Sequence, residues 1–416
     1  MNLPVQKSLP TDGCPTQTSR MQAETEATCI SFFVDLDDLP ASEIAQLQKA
    51  GFLDEAKRVC LLKERHTPYL MRGLEYLPPG FQSMDASRPW FIYWILHSLE
   101  MLGAHAEMQS FHAACLNTIK RCWSDALGGG FGGGILQMGH MATTYASCLA
   151  LAIIGTPEAY DIVDREALLA FFLANKDPVT GAFHAHDQGE VDIRITYCVI
   201  SIASLFGILT PELTLGVVEF VAACQTYEGG FGPMPYQEAH GGYTFSGAAI
   251  LSILNALDRV NIPALTHYVA HRQMAVEGGY QGRTNKLVDG CYSYWMGAVP
   301  ALLAPYTRGI YVSDRAAHQR YILLCGQQLE GGLRDKPGKP RDHYHSCYVL
   351  SGLSLSQHGD GRPETPVFVA GAPENRVEPT HPAYNISPDK VLLIQSYFAE
   401  KAAGATRIEV LEETMD

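Results

Sequence analysis

Apolar residues in this chain gather into stretches that are hydrophobic on nearly every side, separated by glycine-rich turns at an almost constant interval. Residues 41–65 and 88–122 predict helices, with Trp90, Trp94, His97 and Met101 three or four positions apart. Five later segments share a glycine turn, an apolar residue, a polar loop and a helix opened by Tyr, Cys or Ser. They are GGGFGGG at Phe131, TGAFHAHDQG at Phe183, EGGFGP at Phe231, EGGYQG at Tyr280 and EGGLRD at Leu333. Their successive spacings are 52, 48, 49 and 53 residues. The helices that follow include TYASCLALAIIG, TYCVISIASLFG, YTFSGAAILSILNAL, YSYWMGAVPALL and HSCYVLSGLSLS, and a second helix such as PELTLGVVEFVAACQTY fits before the next turn.

Each unit is therefore a helical hairpin that cannot bury both its faces alone, so hairpins stack into an open solenoid or a closed ring. The helices after the turns are apolar nearly all round and rich in Gly, Ala and Ser, which suits an inner ring crowded by neighbours. With the Trp90 helix there are at least six hairpins. This count predicts an all-α fold, an α/α toroid around a central cavity, spanning residues 28–400. Residues 1–27, rich in Thr, Gln, Ser and Pro, are expected to be a mobile tail, and 401–416 an acidic C-terminal tail.

Composition narrows the function classes. Of 416 residues, 47% are apolar, enough for a large core. Formal charge is −14, which argues against a nucleic-acid reader dependent on a basic stripe. A few converging cations can still hold a small anion despite a distant acidic surface. The cysteines number eleven, an odd and scattered set, and several lie in helical runs as small buried hydrophobes. No stretch reaches the ~18 uncharged apolar residues of a membrane span, no leader pattern opens the chain, and no lipidation box closes it. The expectation is a reduced, cytoplasmic protein.

Three constellations carry candidate chemistry. Asp289 and Cys291 are two apart at a loop-to-helix junction, and His345 stands 54 residues beyond Cys291 at the matching junction of the next hairpin. Equivalent positions in stacked repeats are neighbours, and carboxylate, thiolate and imidazole together suit a zinc ion with an open fourth position. The alternative is a buried cysteine beside a hydrogen-bonded histidine. His240, Arg283, Lys286 and Tyr292, with Arg194 one repeat earlier, share that turn-proximal layer and form a candidate diphosphate site. Solvated loop charges are the competing reading. Trp90, Trp94, Tyr145, Tyr197, Tyr243, Trp295 and Tyr348 sit near the starts of inner helices, where they line a cavity or serve as ordinary core. A further acidic run, Asp35-Leu-Asp-Asp38, precedes the repeats and reads as helix capping.

The segments SRPWFIYWILHSLE, EAHGGYTFSG, GRTNKLVDGCYSYW, DKPGKPRDHYHSCYVLSGLS and PTHPAYNISPDKV resemble the β subunits of protein farnesyltransferases, over roughly residues 60–395. The resemblance implies an α/α barrel paired with a separate α subunit as obligate partner. It implies zinc, magnesium and farnesyl diphosphate, and protein substrates alkylated on the Cys of a C-terminal CaaX box. By resemblance Asp289, Cys291 and His345 are the zinc ligands. His240, Arg283, Lys286 and Tyr292 take the diphosphate, Arg194, Tyr197, Tyr243, Trp295 and Tyr344 surround lipid and peptide, and Trp90 and Trp94 border the lipid end and the last peptide residue. Asp335 matches an acid used for magnesium. Bulky Trp90 and Tyr348, with Asp335, favour farnesyl over the longer lipid of the related type I geranylgeranyltransferases; a non-catalytic toroid serving as a scaffold is the third class. Thr143, Ser246, Pro340 and His343 depart from the usual pattern and bear on which final residue X is preferred. Gly359–Arg376 resembles nothing in the family and is expected to be an exposed loop.

Overall fold

The computed structural model describes residues 13–33, 35–125, 129–308, 311–359 and 365–413, with side chains of the last helix described through residue 403. Among these residues, helices alternate between an outer and an inner layer. The inner helices are Arg88–Met101, Met141–Ile154, Ile193–Leu205, Gly241–Ile253, the broken pair Tyr292–Trp295 and Val299–Leu303, and His343–His358. The outer ones are Lys63–Glu75, His112–Cys122, Arg165–Ala174, Val217–Ala223, Ile262–Ala270 and Arg315–Tyr321, the last prolonged by a π turn at Ile322–Gly326. Each inner helix packs on the next, and the sixth packs back on the first. The ring is closed, as the repeat count predicts.

Burial explains why the inner helices read as apolar all round: in Met141–Ile154 every residue except Ala142 is buried. The fifth inner helix breaks because Pro300 has no N–H to donate and Gly297 lies so close to Ser293 O that a Cβ would sit 2.1 Å from it.

The glycine turns do two jobs. Trp123–Phe131, Lys176–Phe183, Gln225–Phe231, Gln273–Tyr280 and Gln327–Leu333 pair antiparallel, fixing the apolar residue under each hairpin. The glycine ahead of it lets the next outer helix approach. At Gly229 φ is +99° and a Cβ would lie 2.1 Å from Ala264 O. At Gly331 φ is +87° and a Cβ would lie 2.1 Å from Arg65 O, the same contact made across the closing seam. Backbone bonds stitch the other seams at the N-terminal ends of the inner helices: Arg88 N–H to Gly133 O, Met141 to Ala185, Ile193 to Pro233, Gly241 to Gly282 and Gly290 to Asp335.

The closing seam is held by His66. Gly332 N–H donates to its Nδ1 at 2.9 Å, which leaves the proton on Nε2 for Gln327 Oε1 at 3.2 Å. Burial pushes the His66 pKa down to about 4. The unfolded chain takes up this proton near pH 6.5 and the folded ring only near pH 4, so stability falls as pH drops through that window. Between pH 7.5 and 5 this histidine alone should cost ~2 kcal/mol of stability. Buried His318 and His343 and half-buried His381 are shifted the same way. Denaturant titrations at the two pH values should show a shallower loss in His66→Gln; an identical loss would place the acid lability elsewhere.

The expected mobile N-terminal tail is corrected. Gln17–Ile30 is a helix, opened by a reciprocal Thr16–Ser19 capping box. It docks through Gln22 Nε2 to Glu277 (2.9 Å) and through buried Cys29 against Cys325. Residues 1–12 lie outside the described set. The last helix runs Pro388–Glu413, so the backbone of most of 401–416 is helical. The segment Gly359–Arg376 is not simply exposed, since Ala370, Ala372 and Asn375 are buried and Asn375 bonds Val59 O and Leu61 N–H. Asp35 caps the 3₁₀ turn Leu36–Asp38 through Asp37 N–H, as its position predicts. No helix among the described residues is long and apolar enough to cross a membrane.

Residues 377–386 form a strap across the inside of the ring. Glu378 N–H meets Met101 O at the end of the first inner helix. Tyr93, Tyr197 and Tyr294 donate their hydroxyls to the carbonyls of Asn385 (3.0 Å), Ala383 (2.8 Å) and Pro382 (3.1 Å). The strap crosses the ring on the side of the C-terminal halves of the inner helices, where Ser354 donates to Glu378 O and Ser204 bonds the Tyr384 hydroxyl. The opposite end, where the loops precede those helices, is the mouth.

Candidate functional site

At the mouth, the seam between the fifth and sixth inner helices brings Asp289, Cys291 and His345 together, with one ligand atom of each within 4.8 Å of the others. Asp289 Oδ1 lies 3.1 Å from His345 Nε2 and accepts Cys291 N–H at 3.0 Å. On the far side of the imidazole, Asp342 Oδ2 is 2.6 Å from Nδ1. A carboxylate there holds Nδ1–H and turns Nε2 toward Asp289 and Cys291, the ring orientation metal-bound histidines use.

Electrostatics agree with a site built for a cation. Burial opposes charge on His345, but Asp289 and Asp342 outweigh it and raise its pKa to about 9. Burial likewise opposes the Asp289 carboxylate, and His345 with Cys291 N–H pulls its pKa down. Burial and the Asp289 charge push the Cys291 thiol far above its ordinary value. Without a cation this cysteine stays protonated. Sulfur, nitrogen and oxygen donors in this compass fit zinc, whose tetrahedral ligands stand roughly 3–4 Å apart.

Asp342 was not among the sequence candidates, though its place three residues before His345 marks it as a helix cap, and its Oδ1 accepts His345 N–H at 2.7 Å. Asp342→Asn keeps the cap acceptor and removes the charge behind the imidazole. Zinc affinity should fall about 10–100-fold with the melting temperature nearly unchanged. Competition against a chromophoric chelator checks this, and undiminished affinity would reduce Asp342 to a cap.

Beside this triad, His240 caps the fourth inner helix, its Nδ1 accepting Gly242 N–H at 3.1 Å. Its proton is therefore on Nε2, 2.9 Å from the Tyr292 hydroxyl, which leaves the Tyr292 O–H free to donate into the mouth. Burial, then the charges of Arg283 and Arg194, lower the His240 pKa, so the ring is neutral at pH 7. Arg194 pairs with Asp192 at 2.6 Å and lies over Tyr243, 5.4 Å from the ring centre. Arg283 turns to Glu238 at 2.7 Å, and Lys286 is exposed. The structure thus joins His240 to Tyr292 and Arg194 to Tyr243, while the Arg283 charge acts on His240 and Tyr292 from its pair with Glu238, and Lys286 lies exposed in the same loop. Glu238, absent from the sequence candidates, is the counter-ion that Arg283 holds in this structure.

Asp335 stands next to the triad. Its carbonyl accepts Gly290 N–H at 2.7 Å and Tyr321 O–H at 2.6 Å, and its carboxylate pairs with Lys336. Burial, then the charge of Asp289, raise its pKa.

Aromatic residues continue inward. Trp295 packs on Tyr348 at 4.3 Å, Tyr348 on Tyr344 at 4.9 Å, and Trp295 Nε1 donates to the Tyr344 hydroxyl at 3.1 Å. Tyr344 meets Trp94, and Trp90 stands against Trp94, Tyr93 and Tyr145. Tyr145 and Tyr197 share a hydroxyl bond at 3.2 Å. The fourth inner helix adds Phe245, 5.1 Å from Tyr197 and 5.3 Å from Trp295, so all six inner helices contribute, and its Tyr243 is in the cationic layer. Of the departures, Thr143 bonds Phe131 O, Ser246 bonds Gly242 O, and buried His343 stacks on Tyr69 at 4.8 Å.

A cationic rim, a mixed-donor triad and an aromatic wall above the strap suit an amphiphile with an anionic head. The family model described as prenyltransferase alpha-alpha toroid domain matches residues 61–386. The chain is 37% identical to the protein farnesyltransferase subunit beta of Arabidopsis thaliana, over 79% of this chain and 80% of that protein. It is 36% identical to the same subunit of Pyricularia oryzae, over 94% and 82%. A solved structure described as Candida albicans protein geranylgeranyltransferase-I complexed with GGPP superposes with TM-score 0.66 at 21% identity, over 80% of this chain and 98% of that one, and so shares the fold. Similarity of this extent, on a closed toroid with this rim and wall, makes the chain a member of the prenyltransferase α/α-toroid family and, within it, of the protein farnesyltransferase β subunits.

Proposed function

We propose that Asp289, Cys291 and His345 hold a zinc ion at which the cysteine of a CaaX-box protein is farnesylated, with an α subunit completing the enzyme. The observation that carries this reading is the triad, whose donors converge across one seam beside the cationic layer of His240, Arg194 and Arg283. When bound, zinc supplies the positive charge that keeps the substrate cysteine as thiolate near neutral pH.

The chain's own groups supply the rest. The aromatic wall of Trp90, Trp94, Tyr145, Tyr197, Trp295 and Tyr348 holds the farnesyl tail, and Tyr344 closes the gap between lipid and triad. Substrate sulfur attacks C1 of the farnesyl group, the S–C1 bond forms, and the C1–O bond breaks with its electron pair leaving on diphosphate. Tyr292 O–H, oriented by the His240 Nε2–H that it accepts, faces that leaving charge, and Arg283, Lys286 and Arg194 add to its stabilisation. Asp335, once released from Lys336, offers a carboxylate for a magnesium ion near the diphosphate. Cysteine outcompetes water because the wall keeps water from C1. The nine buried cysteines are free thiols, in keeping with a reducing, cytoplasmic setting.

The test is the chain co-expressed with an α subunit, assayed for zinc content and for transfer from farnesyl and geranylgeranyl diphosphates to a small CaaX panel. Farnesyl transfer requiring about one zinc per heterodimer is expected. Preference for the longer lipid would move the chain to the geranylgeranyl class, and a zinc-free protein without transfer would make it a scaffold.

A further inference from the structure

A second group of ligand atoms gathers at the mouth. His140, His186 and Glu190 each place one donor atom within 4.8 Å of the others. His140 caps the second inner helix, and His186 and Glu190 lie in the loop before the third. The trio thus spans the seam between the second and third inner helices, whereas the triad spans the seam between the fifth and sixth. In a closed ring of six, those seams face each other across the mouth.

We propose that His140, His186 and Glu190 form a second metal site, for a divalent first-row transition ion such as Zn²⁺, Ni²⁺ or Cu²⁺. Two imidazoles and one carboxylate favour those ions over magnesium or calcium, which prefer oxygen donors alone. The backbone already holds the parts in register: Met141 N–H donates to Ala185 O and Ala185 N–H to Glu190 O, both at 2.8 Å, tying helix start to loop. His186 is poised, since its Nδ1–H donates to Asp187 O at 2.9 Å and leaves the Nε2 lone pair open. The rings of His140 and His186 stand 5.5 Å apart. His140 must change more. Its Nδ1 accepts Ala142 N–H at 3.0 Å, so binding through Nε2 moves its proton to Nδ1 and exchanges that capping bond for a metal bond. Glu190 is exposed and can swing to close the coordination. No step of lipid transfer is required of this ion.

The experiment uses the full-length protein with its partner subunit. Equilibrium dialysis against Zn²⁺ should give two equivalents, one lost in Cys291→Ala and the other, with at least a tenfold loss of affinity, in His186→Ala and Glu190→Gln. With Co²⁺, the sulfur charge-transfer band should vanish in Cys291→Ala while weaker visible bands persist, and those bands should vanish in His186→Ala. Thermal melts should match wild type in the exposed-loop variants. The exposed stacked pair His267 and His271 on an outer helix is the competing surface binder. The proposal is overturned if wild type saturates at one equivalent, or if the second survives His186→Ala and disappears in His271→Ala.

Discussion

Replacing Cys291 by alanine is expected to strip the metal and reduce transfer by about a thousandfold or more while the ring stays folded. The size follows from what the metal supplies: several kcal/mol of charge stabilisation at the reacting sulfur, with each 1.4 kcal/mol worth about tenfold in rate. Removing one of three donors from a site without a spare protein ligand forfeits most of that. The fold should tolerate the change, because the substitution removes only one small buried atom at the mouth, a cost of about 1 kcal/mol. His345→Ala should behave alike in metal and activity. It also leaves Asp289 and Asp342 without the cation between them, so it should lose slightly more stability. Asp289→Asn should weaken metal less, since an amide oxygen can still approach. Elemental analysis and single-turnover transfer on the same preparations decide the matter, and full metal in Cys291→Ala would dismiss the site.

Truncating Trp90 to threonine should change which lipid the enzyme uses. Trp90 is the third residue of the first inner helix and fills the wall between Trp94 and Tyr145. The strap below it fixes the depth of the cavity through Tyr93 and Tyr197, so extra length must come from the wall itself. Removing the indole opens room for about one isoprene unit, five carbons at ~0.8 kcal/mol each before losses to loose packing and chain ordering. A net gain of about 2 kcal/mol for the geranylgeranyl substrate is a reasonable scale, near thirtyfold in relative efficiency. Farnesyl transfer should drop in parallel, because the shorter tail leaves a void, and zinc content should not move. Competition between the two diphosphates, with Tyr348→Phe as a companion variant, measures the ratio. An unchanged ratio would make Trp90 ordinary core.

What could be read from the sequence was whatever repeats or lies on a repeat. The glycine turns recur because the same outer-helix carbonyl presses on the same backbone position each time, at Gly229 against Ala264 and at Gly331 against Arg65. That regularity made the ring and the seam at Asp289, Cys291 and His345 visible before any coordinates. What escaped notice acts outside the repeat. The Gln17–Ile30 helix has a polar composition, and its docking rests on one buried glutamate and a cysteine contact. The strap overlaps PTHPAYNISPDKV, which stood out by resemblance alone, and its path went unread because the ring tyrosines hold it through backbone carbonyls. Asp342 and Glu238 escaped because a cap and a surface carboxylate look ordinary until the group facing them is known. Arg283 shows the reverse: its sequence position proposes an anion ligand, and the structure finds it engaged with Glu238.

The His66 seam also sets a clock on biosynthesis. His66 and Gly332 are 266 residues apart in the chain, and until the second has been made the first outer helix has no partner on one flank. At 5–20 residues per second, that interval lasts on the order of ten to fifty seconds on the ribosome. Through all of it a growing row of hairpins displays unfinished apolar edges, with no capping repeat to cover either end. An open array could stop at any repeat and keep most of its stability. A ring gains its final contacts only when the last hairpin meets the first, so a chain truncated before residue 331 loses the whole closure at once. Nascent chains of this protein should therefore depend on chaperones that shield apolar edges, and should become protease-resistant in a single late step.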